Sequence, residues 1–132
     1  AYTGVVPIML NKIDANEQPM INGDGSQAYD FIYVEDAARA NVCALKSQVN
    51  DEFYNVGTEV QTSIKQLCDL ILELKQSSLK VKYMPYSEED ARRLVQNRIG
   101  SKVKAKEEIN FEYKFNLKEG LLKLIDWRDS ND

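Results

Sequence analysis

The apolar positions of this chain follow a helical period in several stretches, which are separated by short alternating runs. The clearest helix begins after Ser63, because Ser63 and Gln66 have the spacing of a capping box. The apolar residues that follow recur at the interval of a helix with one buried face. They are Ile64, Leu67, Cys68, Ile71 and Leu72. The pattern therefore predicts an amphipathic helix from residue 63 onward.

Three further helices are predicted by similar signals. Residues 4–15 are mostly apolar at helical spacing. Ser101 and Asn110 are expected to begin and end a short helix, Asn110 in the left-handed conformation that often stops one. Asn116 and Glu119 form the cap of a last helix. The apolar face of that last helix is predicted to consist of Leu117, Leu121, Leu124 and Ile125.

Between these helices lie short stretches with the composition of strands. Residues 20–22, 53–56 and 80–84 are predicted as strands, the last of them ended by Pro85. Residues 85–100 have no regular period. Since strands and helices alternate along the chain, the pattern favours an α/β fold with short strands and packed helices.

Residues 23–45 combine a turn, a strand and a helix, and the other elements are arranged around them. Gly-Asp-Gly-Ser at 23–26 predicts a chain reversal. Alternating aromatic residues predict a strand over 29–33. A helix is expected to begin at Glu35, because Glu35 and Asp36 place negative charge on its first turn. Its apolar face is predicted to consist of Ala38, Val42 and Leu45.

Composition narrows the class of protein. The chain has 132 residues, which fits one domain spanning 1–132, and no apolar run approaches the ~20 residues that cross a bilayer. It begins at Ala1 without a leader-like segment and is expected to be part of a longer protein. The net charge of −4 argues against nucleic acid as the main partner.

Two residue types decide which chemistry is possible. The chain has no histidine, which excludes a Ser-His-Asp triad, a Cys-His pair and every zinc site that needs histidine. Cys43 and Cys68 both fall at apolar positions of predicted helices, so we expect two small buried side chains rather than a disulfide or metal pair. A reducing, cytoplasmic location fits this reading.

The central stretch resembles a known enzyme family. Gly-Asp-Gly-x-Gln-x-x-Asp-Phe-x-Tyr-Val-x-Asp at 23–36 and Phe-Tyr-Asn-Val-Gly at 53–57 are similar to the second half of extended short-chain dehydrogenase/reductases that modify nucleotide sugars. UDP-glucose 4-epimerase and dTDP-glucose 4,6-dehydratase are well-known members. The resemblance continues through Thr-Ser-Ile at 62–64 and ends at 116–121 and Asp-Trp at 126–127, so it covers nearly the whole chain.

The resemblance implies the C-terminal, nucleotide-sugar-binding portion of an NAD-dependent epimerase, without the N-terminal Rossmann half. In such an enzyme NAD takes a hydride from the sugar and returns it, and a Tyr-x-x-x-Lys motif transfers protons. None of the seven tyrosines here has a lysine four residues later, and the six glycines do not form the dinucleotide fingerprint. No catalytic, cofactor-binding or metal-binding residue is therefore expected in this chain.

The resemblance also indicates which residues would bind substrate. Relatives bind the diphosphate through an Arg in the region of Arg92 and Arg93, and usually through a second Arg where this chain has Tyr29. The predicted substrate-binding residues are Arg92, Arg93, Tyr29, Gln27 and Phe31. The two arginines open a run of six cations without an acidic residue, which suits an anionic ligand. The run consists of Arg92, Arg93, Arg98, Lys102, Lys104 and Lys106.

Other readings stay open from the sequence. The basic run could be a solvated surface paired with acidic stretches such as residues 88–90. The whole protein could be a dehydratase, decarboxylase or reductase of nucleotide sugars, or the chain could be a non-catalytic interaction module. The expected partners are a nucleotide sugar and the missing cofactor domain, with neither nucleic acid nor membrane, and the chain alone is expected to be a monomer.

Overall fold

The computed structural model of the chain describes residues 4–87 and 97–131. It has the α/β architecture of short strands and packed helices that the sequence predicts. The helices in the described ranges are α1 Val5–Asp14, α2 Val34–Lys46, α3 Ile64–Leu74, α4 Val103–Ile109 and α5 Leu117–Asn131. The strands are β1 Met20–Asn22, β2 Ala28–Asp30, β3 Gln61–Ser63, β4 Lys82–Met84 and β5 Asn97–Arg98. One sheet pairs β1 with β4, and the other has the order β3-β2-β5.

The chain forms two compact units. The first draws on residues 1–28 and 62–97, and the second on residues 29–61 and 98–132. Each unit has its own buried apolar side chains.

The first unit is built on α1, α3 and the parallel pair of β1 and β4. Ile21 lies opposite Tyr83 in that pair, and the strands continue into flanking hydrogen bonds from Gly23 N to the Met84 carbonyl at 2.7 Å and from Lys82 N to the Pro19 carbonyl at 2.9 Å. Its buried apolar residues come from one face of each helix and from β1. They include Met9, Leu10, Ile13, Ile21, Leu67, Cys68, Ile71 and Leu72, and Ala28 of β2 is buried with them.

Two local sequence signals of the first unit, a capping box and a glycine turn, have the structures that were predicted for them. Gln66 N donates to Ser63 Oγ at 3.0 Å and Ser63 N donates to Gln66 Oε1 at 2.9 Å, which confirms the capping box of α3. Gly23 and Gly25 have φ of 76° and 75°, a conformation that glycine adopts without strain, and this confirms the reversal at 23–26. The reversal ends against α3, because the Gly25 carbonyl accepts a hydrogen bond from Lys65 N.

The second unit packs α2 and α4 around a small apolar cluster. Ala40, Ala105, Ile109 and Phe111 are its buried members, and half-buried residues surround them. The surrounding residues are Ile32, Cys43, Tyr54, Val56 and Tyr113. Asn110, with φ 52° and ψ 39°, ends α4 in the left-handed conformation that the sequence predicts. The small alanines of α2 and α4 let the two helices approach closely.

A buried carboxylate fixes this unit. Asp36 is 0% exposed and accepts hydrogen bonds from Lys114 N at 2.9 Å and Phe115 N at 2.9 Å, and from Arg39 Nη2 at 2.6 Å. The Arg39 guanidinium lies 5.0 Å from the ring centre of Phe111 and donates to the Glu112 carbonyl. Burial alone would raise the pKa of Asp36, but the hydrogen bonds from Phe115, Arg39 and Lys114 together lower it by more.

The inward face of α2 differs from the prediction. Asp36 and Ala40 are buried, whereas Ala38 is exposed and Val42 and Leu45 are 44% and 86% exposed. Hydrophobic periodicity predicted the wrong face of α2 to be buried. The buried face is instead the one that carries Asp36, because the carboxylate must reach the backbone N–H groups of residues 114–115. The result is a helix with small or apolar side chains on two opposite faces.

The strand predictions are partly wrong. Strand β2 ends at Asp30, so the predicted strand over 29–33 is cut short, and residues 53–56 form no strand. Their alternation reflects side-chain packing, since Tyr54 and Val56 contact the apolar cluster and Phe53 is 92% exposed. Strand β3 has the sequence Gln-Thr-Ser, which carries no apolar signal, and periodicity missed it.

The C-terminal helix agrees with its predicted signals. Asn116 N donates to Glu119 Oε2 and Glu119 N donates to Asn116 Oδ1, both at 2.9 Å, as a capping box requires. Leu121 and Ile125 are buried on the predicted face, together with Gly120. Gly120 lies against the ring of Tyr33, where an added Cβ would approach within 3.1 Å of the tyrosine side chain.

Replacing Asp36 by asparagine should destabilise the protein strongly. The amide keeps the shape of the carboxylate but loses the charge that the buried donors require, and we expect a fall of about 3 kcal/mol in the free energy of unfolding at pH 7. Urea denaturation measures this, with Glu35→Gln as control, because Glu35 is exposed one position earlier on the same helix.

The stability difference between wild type and Asp36→Asn should depend on pH in a defined direction. Because the folded pKa of Asp36 is lowered, its contribution is present above the unfolded pKa of about 3.9 and disappears as the pH falls through the folded pKa. The stability difference between wild type and Asp36→Asn should therefore shrink on acidification. A difference that stays constant down to pH 2 would contradict the role assigned to the charge.

Candidate functional site

Two of the predicted substrate-binding residues form an aromatic pair. Tyr29 and Phe31 have ring centroids 6.1 Å apart at an interplanar angle of 64°, an edge-to-face contact, and both side chains are half-buried. Tyr29 lies in β2 and Phe31 directly follows it. The pair offers partly accessible aromatic surface and one phenolic hydroxyl, but it brings no positive charge.

The residue between them anchors a loop. The Asp30 carboxylate accepts hydrogen bonds from Thr58 N at 2.8 Å, Thr58 Oγ1 at 2.5 Å and Glu59 N at 2.9 Å. These bonds hold Glu59 in the left-handed region, with φ 62°. Asp30 therefore couples the strand that carries Tyr29 to the loop at 57–60.

Gly57 is required by this anchor. An added Cβ at Gly57 would lie 2.4 Å from Asp30 Oδ2, closer than real contacts allow. The Asp30 oxygen cannot move away without breaking its bonds to Thr58 and Glu59. Sequence reasoning assigned no role to Asp30, Gly57 or Thr58. The signal that could have identified Asp30 and Gly57 is their presence in the Asp-Phe and Asn-Val-Gly motifs.

The remaining predicted site residues have different outcomes. Gln27 belongs to the first unit, is half-buried, and its carbonyl accepts a hydrogen bond from Ile64 N at 2.8 Å. Arg92 and Arg93 lie outside the described residues, so their contact with phosphate stays a prediction. The structure therefore brings Tyr29 and Phe31 together as neighbours and leaves the cations of the site untested.

The lysines of the basic run are paired with glutamates. Lys104 Nζ lies 2.6 Å from Glu52, Lys106 Nζ 2.8 Å from Glu112, and Lys102 Nζ 3.7 Å from Glu59. Hydrogen bonds to their carboxylates raise the pKa values of Lys104 and Lys106. This part of the run agrees with the alternative of a charged surface balanced by acids, although the acids are not those of 88–90, which lie outside the described residues.

The strongest pKa changes among the described residues do not create an acid or base near neutral pH. Desolvation, and then the hydrogen bond to Glu108 at 2.7 Å, raise the pKa of Tyr54 to about 12. Burial raises the pKa of the Cys68 thiol to about 11, which leaves it protonated and unreactive. Cys43 and Cys68 are both free; Cys68 is buried as predicted, whereas Cys43 is only half-buried.

Neither the glycine turn nor the acidic side chains of the described ranges form a known type of cofactor or metal site. The turn at Gly23–Ser26 leads into strand β2 rather than into a helix, so it does not fit the pyrophosphate of NAD. No group of three His, Cys, Asp or Glu side chains in the described ranges is placed to hold a metal ion. Within the same ranges, no helix is both long and apolar enough to cross a bilayer.

Comparison with known proteins agrees with the motifs. Residues 1–57 match the model of the NAD dependent epimerase/dehydratase family. The chain is 30% identical to the UDP-N-acetyl-alpha-D-glucosaminuronate decarboxylase of Bacillus cytotoxicus, over 96% of this chain and 40% of that protein. It is 29% identical to the dTDP-D-glucose 4,6-dehydratase of Bos taurus, over 96% of this chain and 36% of that protein.

A solved structure extends the match to the fold. The crystal structure of UDP-glucose 4-epimerase from Thermotoga maritima with UDP-glucose is 32% identical and superposes with a TM-score of 0.88, covering 100% of this chain and 41% of that one. The chain belongs to the NAD-dependent epimerase/dehydratase family. It spans about 40% of the length of relatives such as the Bacillus cytotoxicus decarboxylase, a span that fits the C-terminal portion of such an enzyme.

The anchor formed by Asp30 predicts a specific mutational coupling. Gly57→Ala should lower the free energy of unfolding by about 1–2 kcal/mol, because the new Cβ displaces the Asp30 carboxylate from its hydrogen bonds. In an Asp30→Ala background the same change should be neutral or slightly stabilising, since alanine restricts the unfolded chain.

The double-mutant cycle is measured by urea denaturation of the four proteins. Gly4→Ala serves as the control, because an added Cβ there meets no atom closer than 3.9 Å. Additive effects of Asp30→Ala and Gly57→Ala would show that the glycine is required for another reason.

Proposed function

We propose that this chain is the substrate-binding portion of an NAD-dependent nucleotide-sugar epimerase, and that it holds the nucleoside diphosphate of a UDP-sugar. The observation that carries the proposal is what the relatives share. One is a UDP-sugar decarboxylase, one a dTDP-sugar dehydratase and one a UDP-glucose 4-epimerase. Their reactions differ while a nucleotide sugar is common to all, so a segment that matches all three fits a role in binding better than a role in chemistry.

The sequence supports a separation between substrate binding in this chain and catalysis in the rest of the enzyme. This chain carries no Tyr-x-x-x-Lys motif and no dinucleotide fingerprint. Proton transfer and NAD binding would then fall to residues outside it. Binding of the remote nucleotide would supply the orientation that the reacting sugar needs. The two free cysteines support a reducing, cytoplasmic setting as part of the proposal.

The proposed nucleotide site uses the predicted residues. Arg92 and Arg93 would contact the diphosphate, because a guanidinium matches phosphate oxygens in pairs. Tyr29 and Phe31 would contribute aromatic surface and one hydroxyl where relatives usually carry an arginine, and Gln27 would contribute its amide. The missing positive charge at Tyr29 is the reason for placing the diphosphate contact at the two arginines.

The outward face of α2 supports a further domain as partner. Val34 and Leu45 are 69% and 86% exposed, and with Ala38 and Val42 they lie opposite Asp36 and Ala40 around the helix. A helix that is buried on one side and apolar on the other fits a position between two layers. We assign the covering layer to the cofactor-binding portion expected for a protein of this family.

A second candidate reaction is decarboxylation of a UDP-sugar acid. It is favoured by the 30% identity to the Bacillus cytotoxicus decarboxylase over nearly the whole chain. The two reactions are separated by their products, because decarboxylation releases carbon dioxide and epimerisation leaves the mass of the sugar unchanged. Incubation of the complete protein with UDP-glucose and UDP-glucuronate, followed by mass analysis, distinguishes them.

Removing the proposed phosphate contact should weaken binding of UDP by the complete protein. We expect Arg92→Ala or Arg93→Ala to lower the affinity for UDP about tenfold to a hundredfold, the loss of one charge-assisted hydrogen bond. Calorimetric titration measures the affinity, and melting temperatures should be unchanged. Lys46→Ala, an exposed cation at the end of α2, is the matched control.

Tyr29→Phe tests the other half of this assignment. If both arginine variants bind UDP like wild type while Tyr29→Phe does not, the contact lies at Tyr29 and the assignment to Arg92 and Arg93 is wrong. If all three variants bind UDP like wild type, this segment does not carry the nucleotide site.

The proposed layer over α2 predicts a difference between the isolated chain and the complete protein. Leu45→Gln should leave the stability of the isolated chain within about 0.5 kcal/mol, because the side chain is exposed there. In the complete protein it should cost about 2 kcal/mol by burying a polar amide. Ala44→Gln, which places the same side chain away from the apolar face, should be tolerated in both. Equal effects of Leu45→Gln in both proteins would contradict the covering layer.

A further inference from the structure

The second unit contains a cleft whose lining does not include Tyr29 or Phe31. Its volume is about 390 Å³, within the range of small-molecule sites. It opens between α4 and the segment that follows that helix. The lining residues are Gly57, Lys102, Lys106, Phe111, Glu112 and Tyr113.

Two cations reach this cleft from one side of α4. Lys102 and Lys106 are four residues apart and therefore lie on the same face of the helical turn. Lys104, between them, points elsewhere: its Nζ lies 2.6 Å from Glu52 and 5.1 Å from the ring centre of Tyr54. Their spacing along the chain therefore brings Lys102 and Lys106, but not Lys104, to the cleft.

Lys102 is only loosely bound by its neighbours. Its Nζ lies 3.4 Å from the Thr58 carbonyl, 3.7 Å from Glu59 Oε2 and 5.5 Å from the ring centre of Tyr113. The first two distances are longer than those of strong charged hydrogen bonds, which are about 2.7–2.9 Å. The Lys102 side chain is 41% exposed, so the ammonium can turn toward a ligand.

The second cation has a partner that a ligand can replace. Lys106 Nζ lies 2.8 Å from Glu112 Oε1, but the two side chains are 59% and 64% exposed. Exposed ion pairs of this kind contribute little net stability. A dianion in the cleft could therefore take the place of the Glu112 carboxylate at low cost.

The other walls suit a group with a flat face. Tyr113, which is half-buried, and Phe111, which is buried, both line the cleft. Among the residues that the structure describes, none forms a hydrogen bond with the Tyr113 hydroxyl, which is therefore available as a donor. Gly57 has no side chain to fill the cleft on that side. A larger residue would not fit there, because an added Cβ would lie 2.4 Å from Asp30 Oδ2.

We propose that this cleft binds a phosphate monoester that carries an aromatic ring. Lys102, Lys106 and the Tyr113 hydroxyl supply donors for the phosphate oxygens, and the half-buried ring of Tyr113 contacts the flat group. A phosphate monoester fits better than a carboxylate, because it brings two negative charges and three accepting oxygens to two cations and a phenol. The cleft shares none of the residues of the nucleotide-sugar site proposed above.

Phenyl phosphate is the probe, with methyl phosphate for comparison. We expect saturable binding of phenyl phosphate to the 132-residue chain, with a dissociation constant on the order of 1 mM, followed by NMR through the ring resonances of Tyr113 and the amides of residues 102–113. Methyl phosphate should bind about fivefold more weakly, because one stacking contact is lost. Absence of saturation at millimolar phenyl phosphate would overturn the proposal.

Charge-neutralising variants locate the site. Lys102→Gln should weaken binding about tenfold and Lys106→Gln severalfold, as expected for a lost charge-assisted contact. Lys104→Gln removes the same charge from the same helix but outside the cleft, and it should change the affinity less than twofold. Tyr113→Phe, which removes only the hydroxyl, should weaken binding about threefold. Equal losses in Lys104→Gln and Lys102→Gln, or binding that none of the variants alters, would overturn the assignment of the cleft.

Discussion

The buried carboxylate of Asp36 is the constraint on which the second unit depends. A charge without access to water must be matched by donors, and here the donors are backbone N–H groups of residues 114–115 and the Arg39 guanidinium. That requirement turns one face of α2 inward and draws the segment after α4 onto the helix. Arg39 extends the same network to Phe111 and the Glu112 carbonyl. Phe111, which belongs to the apolar cluster and also lines the cleft, is thus positioned by a polar interaction.

The sequence was most informative where structure is determined locally. The capping boxes at Ser63 and Asn116, the two positive-φ glycines and the left-handed Asn110 all involve residues only a few positions apart, so short-range patterns predicted them. The orientation of α2 depends on donors far along the chain, and hydrophobic periodicity selected its other apolar face. Strand β3 is made of polar residues whose pairing comes from neighbouring strands, which leaves no signal in the segment itself.

The candidate site divides in the same way. Motif resemblance selected Tyr29 and Phe31 as substrate-binding residues, and the fold places their rings edge to face. It assigned no role to Asp30, whose carboxylate binds the loop at 57–60, almost thirty residues further along the chain. The cleft of Lys102 and Tyr113 could not be read from the chain, because its walls come from separate segments and the spacing of the lysines becomes meaningful only once α4 is placed. Family membership supports the proposed class of substrate, and the local contacts show which groups each side chain can offer.

The contact between Gly57 and Asp30 has a consequence for how such sequences can diverge. As long as the carboxylate holds its loop, no residue with a Cβ fits at position 57 without displacing it. Once the carboxylate is lost, that restriction disappears, and the position becomes open to ordinary drift. The order of change is therefore asymmetric: along any lineage that replaces both residues, the aspartate is expected to go first and the glycine to follow.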